Sequence, residues 1–281
     1  MSQLSNCESD KKQYIAYEES PDDNNGEIFL DNFRKEQKEI IKPVRILCHS
    51  VPVGLVNLTS DSCRRVLYAS SHFPIIYHVD ENKQQILEGH QASITSLTSS
   101  EDKNWIASAD SGPQSNIIVW DSRTFNAVRT IFDPHPEGTI AISLSSDARY
   151  LVSLSASNDP QEIKVWDWTT GSSEAICISK FYQNKSVNQK NISFAPHNNP
   201  LLISNNEQSV FFHKWDTAGN IETYKGQLNA FTAAKIGKIT QAIFFPNSNI
   251  ALSSTSNGYL TVWKESASSL SIFSSQHYFI R

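Results

Sequence analysis

The sequence lacks several features that would assign it at once to a large class of proteins. Its 281 residues carry 24 basic and 29 acidic side chains, a formal net charge of −5. There is thus no surplus of Lys and Arg for nucleic-acid phosphates or an anionic membrane. No stretch approaches the roughly 18 apolar residues of a membrane-spanning helix, and the polar, acidic start differs from a secretory signal. We expect a soluble, intracellular, folded protein with no nucleic-acid or membrane partner.

Metal, nucleotide and redox motifs are also missing from the sequence. The four cysteines have no Cys-x-x-Cys spacing, which favours reduced thiols in an intracellular protein. Histidines and acids do not cluster at a spacing that would hold zinc. There is neither an EF-hand loop nor a Gly-rich phosphate-binding loop. We therefore predict no cofactor, no metal site and no small-molecule substrate.

Serine and tryptophan are abundant, and the tryptophans recur at a regular interval. The chain has 40 serines and six tryptophans. From Pro43 onward, short apolar runs alternate with polar turns, a pattern typical of β-strands. Each repeat ends its third strand on an aromatic anchor: Tyr77, Trp120, Trp166, Trp215 and Trp263. The intervals of 43, 46, 49 and 48 residues match a four-stranded propeller blade. The sequence therefore predicts an all-β fold, a WD-repeat β-propeller with about five blades.

Closure of the ring and the domain boundaries follow from the same count. Propellers close with roughly four to eight blades, so five copies form either a small ring, with 27–60 adding strands, or an open arc with an exposed edge. We expect the open or incomplete ring, with blades over 43–270 and a carboxyl-terminal tail at 271–281. Residues 1–42 hold ten acidic and six basic side chains, most of the net charge. They predict an acidic, largely disordered tail with a possible docking segment.

The second blade carries a complete set of polar residues that resembles the buried tetrad of WD-repeat blades. His90 precedes the first strand, and Ser108, Asp110 and Trp120 follow. A buried indole N–H, hydroxyl and imidazole each need a hydrogen-bond partner. A continuous series of hydrogen bonds among the four side chains satisfies all of them. The same Ser, His and Asp also suggest a hydrolase, but a catalytic serine must be exposed beside an oxyanion hole, and no Gly-x-Ser-x-Gly elbow is present. We predict a structural tetrad and no catalytic residue.

The other blades retain only part of this set. Blade three has Pro136-Glu137-Gly138 where Gly-His would stand, with His135 nearby. The residues retained are Ser155 and Asp159 with Trp166, Ser204 and Asn206 with Trp215, and Ser254 and Asn257 with Trp263. We expect these departures to lower local stability while leaving the fold intact. Two long turns, at 111–115 and 157–161, are either recognition elements or tolerated surface insertions.

Two runs in the second and third blades are more specific than the general repeat. They are Trp105-Ile106-Ala107-Ser108-Ala109-Asp110-Ser111-Gly112-Pro113, and Ile131-Phe132-Asp133 followed by Pro136-Glu137-Gly138. Together with the run 66–90, they resemble the WD-repeat cilia- and flagella-associated family of the calmodulin- and spoke-associated complex, at the base of a radial spoke. The likeness covers roughly residues 55–265.

This resemblance implies a non-catalytic scaffold in the axoneme of motile cilia or flagella, within the cytoplasmic cytoskeleton. Such a scaffold assembles or anchors radial spokes, with radial spoke and calmodulin-associated proteins as partners. Family members continue for many more blades, so the chain corresponds to a short form, and calmodulin association is not carried over to any residue. The alternative is a WD-repeat peptide-recognition adaptor in another complex, such as a ubiquitin-ligase substrate receptor. A propeller hydrolase is the third hypothesis.

Overall fold

The fold consists of short antiparallel sheets. The computed structural model describes residues 45–46, 48–61, 63–157, 160–181, 188–196, 200–228, 230–246, 248, 250–265 and 273–279. Within them, five four-stranded sheets follow one another along the chain, and in each sheet the strands pair in chain order. No helix in these ranges is long and apolar enough to cross a bilayer.

Each sheet is one blade, and the first three blades have the following strands. Blade one contains β1 (Val56–Asn57), β2 (Arg65–Ser70), β3 (Phe73–His78) and β4 (Lys83–Ile86). Blade two contains β5 (Ile94–Ser99), β6 (Trp105–Asp110), β7 (Asn116–Asp121) and β8 (Ala127–Phe132). Blade three contains β9 (Thr139–Leu144), β10 (Tyr150–Ser155), β11 (Gln161–Asp167) and β12 (Cys177–Phe181).

Two blades and two short helices complete the described chain. Blade four contains β13 (Asn191–Phe194), β14 (Leu201–Asn205), β15 (Val210–Trp215) and β16 (Ile221–Lys225). Blade five contains β17 (Ile239–Phe244), β18 (Ala251–Thr255), β19 (Tyr259–Glu265) and β20 (Phe273–Phe279). A 3-10 helix, Trp168–Thr170, follows β11, and helix α1 (Ala230–Ile236) precedes β17.

The middle strands are apolar on both faces because each face packs against a different blade. In β7, Trp120 packs with Leu67 of blade one, whereas Val119 packs with Leu144 of blade three. Successive strand residues point to opposite faces, so a sheet between two sheets needs apolar residues at almost every position. The first strands of all five blades line one central cavity of about 350 Å³. The predicted all-β propeller with about five blades is confirmed.

Within the described residues the five blades form an open arc, in which no further sheet covers one face of the last blade. On this free face, Ile243, Leu252 and Val262 lie side by side across three strands. Ile243 is 45% exposed, and the other two side chains are only half-buried. At the equivalent face of blade three, Val152 and Val165 are fully buried against blade four.

Blade one is also partly open at the other end of the arc. Its outward face presents Val66, Tyr68 and Tyr77, all half-buried, beside the exposed Leu55. These side chains line an apolar groove of about 450 Å³. Both ends of the arc therefore expose the kind of surface that elsewhere in the molecule is covered by a blade.

The carboxyl-terminal end differs from the sequence-based prediction. The sequence predicts a tail at 271–281, but β20 pairs with β19 along its whole length, from Phe273 opposite Glu265 to Phe279 opposite Tyr259. The outer strand of a blade is largely exposed, as in β16, so it carries little of the apolar alternation that identifies strands. The predicted acidic segment at 1–42 lies outside the described residues.

We expect the isolated chain to self-associate or to be poorly soluble, because exposed apolar sheet faces promote association. Ile243→Lys on the free face of blade five should shift the sedimentation velocity profile toward the monomer. Val128→Lys, at a residue of outer strand β8 that is 50% exposed, is the matched control and should leave association unchanged. A wild-type chain that sediments as a monodisperse monomer and melts cooperatively would contradict this account.

Candidate functional site

The four predicted tetrad residues of blade two meet in one buried network. His90 Nδ1 lies 2.9 Å from Asp110 Oδ2, and His90 Nε2 lies 2.7 Å from Ser108 Oγ. The indole Nε1 of Trp120 donates to the same Ser108 Oγ at 2.8 Å. All four residues are at most 4% exposed. The second carboxylate oxygen, Asp110 Oδ1, accepts from the backbone N–H of Asn116 at 2.6 Å and so closes the β6–β7 turn.

The residue before the tetrad histidine must be small, because the Trp120 ring lies against it. A Cβ atom built on Gly89 would lie 3.2 Å from Trp120 Cη2 and 3.0 Å from Ile118 Cδ1. Gly226 has the same role before blade five, since its Cβ would lie 2.6 Å from Trp263 Cζ3. Gly226 is not marked in the sequence, because no histidine follows it to form a Gly-His pair.

The hydrogen bonds within the tetrad determine what its serine can do chemically. The Asp110 carboxylate accepts from His90 Nδ1–H, and His90 Nε2 lies 2.7 Å from Ser108 Oγ, so the three side chains are arranged as in a catalytic triad. However, Ser108 is 0% exposed, and its oxygen already accepts the indole proton. A substrate carbonyl therefore has no access to Ser108 in this structure, and the network leaves no nucleophile at the surface.

The two specific sequence runs noted above meet in space beside the tetrad. Ser111 pairs with Gly138 in an isolated bridge, and the Gly112 N–H donates to the Glu137 carbonyl at 3.2 Å. Gly138 has a φ of +94°, and a Cβ there would lie 2.5 Å from the Gly112 nitrogen. The long 111–115 turn is therefore held against the connection into blade three. Gly138 permits the close approach of the two backbones, and Gly112, with a φ of +85°, permits the left-handed backbone conformation.

Blade three has a second network, built on a different serine from the one predicted. Ser153 Oγ accepts from Trp166 Nε1 at 2.9 Å and lies 2.9 Å from His135 Nε2. The predicted Ser155 instead accepts from the backbone N–H of Glu162 at 2.8 Å, the task of Asp110 in blade two. Ser155 is thus wrong as the tetrad serine, and Asp159 lies outside the described residues.

Three charged side chains, Glu162, Lys164 and Lys180, form a cluster next to His135 Nδ1. Its Nδ1 lies 3.7 Å from a Glu162 carboxylate oxygen, and that carboxylate also pairs with Lys164 and Lys180 at 3.2 and 3.0 Å. Burial, together with the Lys164 ammonium, lowers the pKa of His135 from 6.5 to about 4. His135 is therefore neutral at physiological pH, and the group is a fixed ion-pair cluster.

Blade four has lost the tetrad serine. The residue paired across the strands with His213, two positions before the anchor Trp215, is Leu202. The buried Trp215 Nε1 consequently has no hydrogen-bond partner among the described residues. The predicted Ser204 lies one pleat further along and contacts His213 Nε2 at 2.8 Å. Asn206 caps the turn before β15 through its side-chain oxygen.

Blade five restores the serine, again at a position other than the predicted one. Ser253 Oγ accepts from Trp263 Nε1 at 2.9 Å, whereas the predicted Ser254 faces the opposite side and contacts Thr240 Oγ1 at 2.8 Å. The predicted Asn257 is exposed and donates to the Lys235 carbonyl at 3.1 Å. Blade five therefore keeps the Ser–Trp pair without a histidine.

The aromatic anchor of blade one differs from the other four. Tyr77 is half-buried on the outward face, and its hydroxyl donates to Asn82 Oδ1 at 3.0 Å. It therefore takes no part in a tetrad. Across the part of the chain that the structure describes, no group of three or more His, Cys, Asp or Glu side chains is placed to hold a metal ion.

Comparison with known proteins assigns the family. The family description "CFAP251 N-terminal domain" matches residues 41–279, which span all five blades. The chain belongs to the CFAP251 family. Cilia- and flagella-associated protein 251 of Pongo abelii is 35% identical over 219 residues, which are 76% of this chain and 18% of that protein. The Mus musculus protein is 33% identical over 240 residues, 82% of this chain and 18% of that protein.

A more distant similarity links the CFAP251-family chain to a protein named as microtubule-associated. Echinoderm microtubule-associated protein-like 1 of Rattus norvegicus is 24% identical over 216 residues, 73% of this chain and 25% of that protein. The chain spans about a fifth of the length of the CFAP251 relatives it matches. Membership of this family supports a location in the cilium or flagellum, and the family name and fold point to a structural protein.

The Trp215 indole of blade four, whose N–H has no hydrogen-bond partner among the described residues, predicts different stabilities for equivalent tryptophan variants. Trp→Phe removes the N–H and leaves a similar gap at each anchor. At Trp120 and Trp263 the change also breaks a buried hydrogen bond, whereas at Trp215 it removes an unsatisfied donor. We expect Trp215→Phe to cost about 2 kcal/mol less unfolding free energy than Trp120→Phe. Urea denaturation measures this difference, Trp263→Phe is the matched control for Trp120→Phe, and equal losses at all three positions would contradict the assignment.

Two buried neutral histidines generate a dependence of stability on pH. Burial lowers the pKa of His213 to about 3, and that of His135 is about 4. Both values lie below that of the unfolded chain, so the unfolded state binds more protons between pH 6.5 and 4, and stability falls on acidification through that range. The slope should be about 1.4 kcal/mol per pH unit for each histidine.

Chemical denaturation at pH values from 7 to 4.5 measures this slope. Carboxylates with lowered pKa values, such as Glu207, add to the slope at the acidic end of this range, so the histidine contribution is read from the difference between wild type and variant. His213→Gln should reduce the slope by about 1.4 kcal/mol per pH unit, since it removes one titrating group. A wild-type unfolding free energy that stays constant from pH 6.5 to 4.5 would show that these histidines are not buried as neutral groups.

Proposed function

We propose that the chain is a non-catalytic WD-repeat scaffold in the axoneme of motile cilia or flagella, where it assembles or anchors radial spokes and so supports motility. The observation that carries this proposal is the match of the CFAP251 N-terminal domain across all five blades. The whole length of the relatives is several times that of this chain, so their complete role is itself part of the proposal.

The chemistry of the tetrad supports a structural role over an enzymatic one. The side chains that resemble a catalytic trio are fully enclosed and bonded to an indole. A hydrolase would need its serine exposed beside donors for an oxyanion. The polar residues of blade two are thus explained by the need to satisfy buried donors and acceptors, and no catalytic residue is required.

The surfaces of the molecule support assembly with other proteins. Free apolar faces lie at both ends of the arc, around Ile243 and around Tyr68. Large exposed apolar patches on soluble proteins mark interaction sites. Most of the net charge of −5 falls in residues 1–42, so the remainder is nearly neutral, which suits close packing against partners more than long-range attraction of nucleic acid.

The proposed partners are proteins of the axoneme, including radial spoke and calmodulin-associated proteins. The similarity to a relative named as microtubule-associated fits a site on a microtubule-based structure. The proposal includes no nucleic acid, membrane, cofactor or small-molecule substrate. A peptide-recognition adaptor elsewhere, such as a ubiquitin-ligase substrate receptor, remains the alternative that the experiment must separate.

Deletion and rescue in cells with motile cilia test the scaffold proposal. We expect the deletion to remove one class of radial spoke from cryo-electron tomograms of the axoneme and to impair beating. Tagged wild-type chain and Val128→Lys should restore both, whereas Ile243→Lys should restore neither, because its free face is charged. Tagged protein absent from cilia, or spokes unchanged by the deletion, would contradict the proposal. Co-purification with ubiquitin-ligase subunits in place of axonemal proteins would favour the adaptor.

A further inference from the structure

The contact between blades two and three is closed at one end by an indole. Trp168 follows the anchor Trp166 by two residues and is 6% exposed. Its ring meets that of Trp105 edge to face, with centroids 5.2 Å apart. Its Nε1 donates to the Ala148 carbonyl at 2.7 Å. Trp168 thus fills the space beside the anchor of blade three and the first residue of β6.

The next contact, between blades three and four, has equivalent walls. Tyr150 begins β10 as Trp105 begins β6, and the turns before them are alike: the Tyr150 N–H donates to Ser145 Oγ at 2.9 Å, and the Trp105 N–H to Ser100 Oγ at 3.0 Å. Phe194 ends β13 as a leucine ends β9. The two contacts are therefore built on the same plan.

The contact between blades three and four has no tryptophan at the position equivalent to Trp168. The anchor Trp215 is followed two residues later by Thr217, which is exposed. A pocket of about 320 Å³ remains there, lined by Tyr150, Phe194, Pro200 and Trp215. The Trp215 ring centroid lies 4.9 Å from that of Tyr150 and 6.1 Å from that of Phe194. The volume falls within the range of about 300–1,000 Å³ typical of ligand pockets.

A carboxylate at the rim gives this pocket a charge. Asp216 accepts from the backbone N–H groups of Ala218 and Asn220 at 2.9 and 3.0 Å. Bonds to Asn220 hold its pKa below the usual value. At the earlier contact, the equivalent Asp167 pairs with Arg149 at 2.8 Å. Asp216 forms no ion pair within the described ranges, so its charge is available to a cation from outside.

We propose that this pocket accepts an aromatic side chain of a partner protein, flanked by a basic residue that pairs with Asp216. The aromatic part follows from Trp168, which fills the equivalent space within the chain itself. The basic part follows from charge complementarity with the Asp216 carboxylate, which is hydrogen-bonded but forms no ion pair within the described residues. The inference rests on the proposed function only in taking the occupant to be a protein, because binding at the pocket is measured without cilia.

Fluorine NMR of two indole ligands with the full chain tests both parts. We expect saturable binding of 5-fluorotryptamine, which carries an ammonium, and binding about two- to fivefold weaker for 5-fluoroindole-3-acetate, which carries a carboxylate. Asp216→Asn keeps the turn acceptor and should abolish this difference. Absence of saturable binding by wild type, or equal binding of the two ligands, would overturn the proposal.

Thr217→Trp fills the pocket from within, as Trp168 does one blade earlier. It should abolish binding of both ligands and raise the melting temperature by about 2–4 °C. Ala218→Trp places the same side chain one residue away, at an exposed position outside the pocket lining, and should leave binding unchanged. Ligand binding that survives Thr217→Trp would place the ligand elsewhere and overturn the proposal.

Competition with n-butylammonium separates an aromatic occupant from a lysine-like one. We expect no displacement of 5-fluorotryptamine at equal concentration. Equal displacement would mean that the pocket takes a basic side chain alone, against the proposal. The scaffold proposal is contradicted by a different result, the absence of the protein from cilia. If the ligands bind and the protein is absent from cilia, the pocket proposal holds and only the scaffold proposal is wrong.

Discussion

The structure depends on giving a hydrogen-bond acceptor to the anchor indole N–H groups that are buried between two blades, as happens at Trp120, Trp166 and Trp263 but not at Trp215. The anchors provide the large apolar area that joins neighbouring sheets, but each brings a donor into a space that water does not reach. Leaving such a donor unpaired costs about 1–3 kcal/mol. Ser108, Ser153 and Ser253 each accept a hydrogen bond from an indole N–H, with Oγ 2.8–2.9 Å from the indole nitrogen. The serine content of the chain is thus partly a consequence of its tryptophans.

The same constraint explains why a triad-like arrangement here does not imply catalysis. His90 orients Ser108 with hydrogen bonds that resemble those of a hydrolase, and Asp110 fixes the imidazole. Two features distinguish Ser108 from a catalytic serine. Its oxygen also accepts a hydrogen bond from the Trp120 N–H, and its side chain is completely buried. Local geometry alone therefore does not distinguish the two roles, whereas solvent access and the identity of the third neighbour do.

The blade spacing, the anchors and the complete tetrad could be predicted from the sequence because each is a local pattern. The tetrad serines of blades three and five could not. From serine to anchor the distance is 12 residues in blade two, 13 in blade three and 10 in blade five, because the intervening turns differ in length. Across the strands, however, the serine always pairs with the residue two before the tryptophan. Strand register therefore decides the position, and a count along the chain does not reveal it.

The open arc and the pocket beside Trp215 also depend on register and neighbours. Thr217 occupies the position equivalent to Trp168. This equivalence can be recognised only from the structure, in which Tyr150 and Trp105 begin equivalent strands. Likewise, the apolar residue Val262 resembles Val165 in sequence pattern, but only the latter is covered by a further blade. Strand patterns predict which residues a face presents, and the number of blades in place decides whether that face is buried.

Hydrogen exchange of the indole N–H groups tests most directly whether buried serine–indole bonds hold the blades together. In a chain labelled with ¹⁵N-tryptophan, the Nε1–H of Trp120, Trp166 and Trp263 should exchange only through global unfolding. Ser108→Ala should accelerate exchange at Trp120 by more than about tenfold, the factor that corresponds to 1.4 kcal/mol of lost protection. Exchange of the wild-type Trp120 indole as fast as that of an exposed indole would contradict the account.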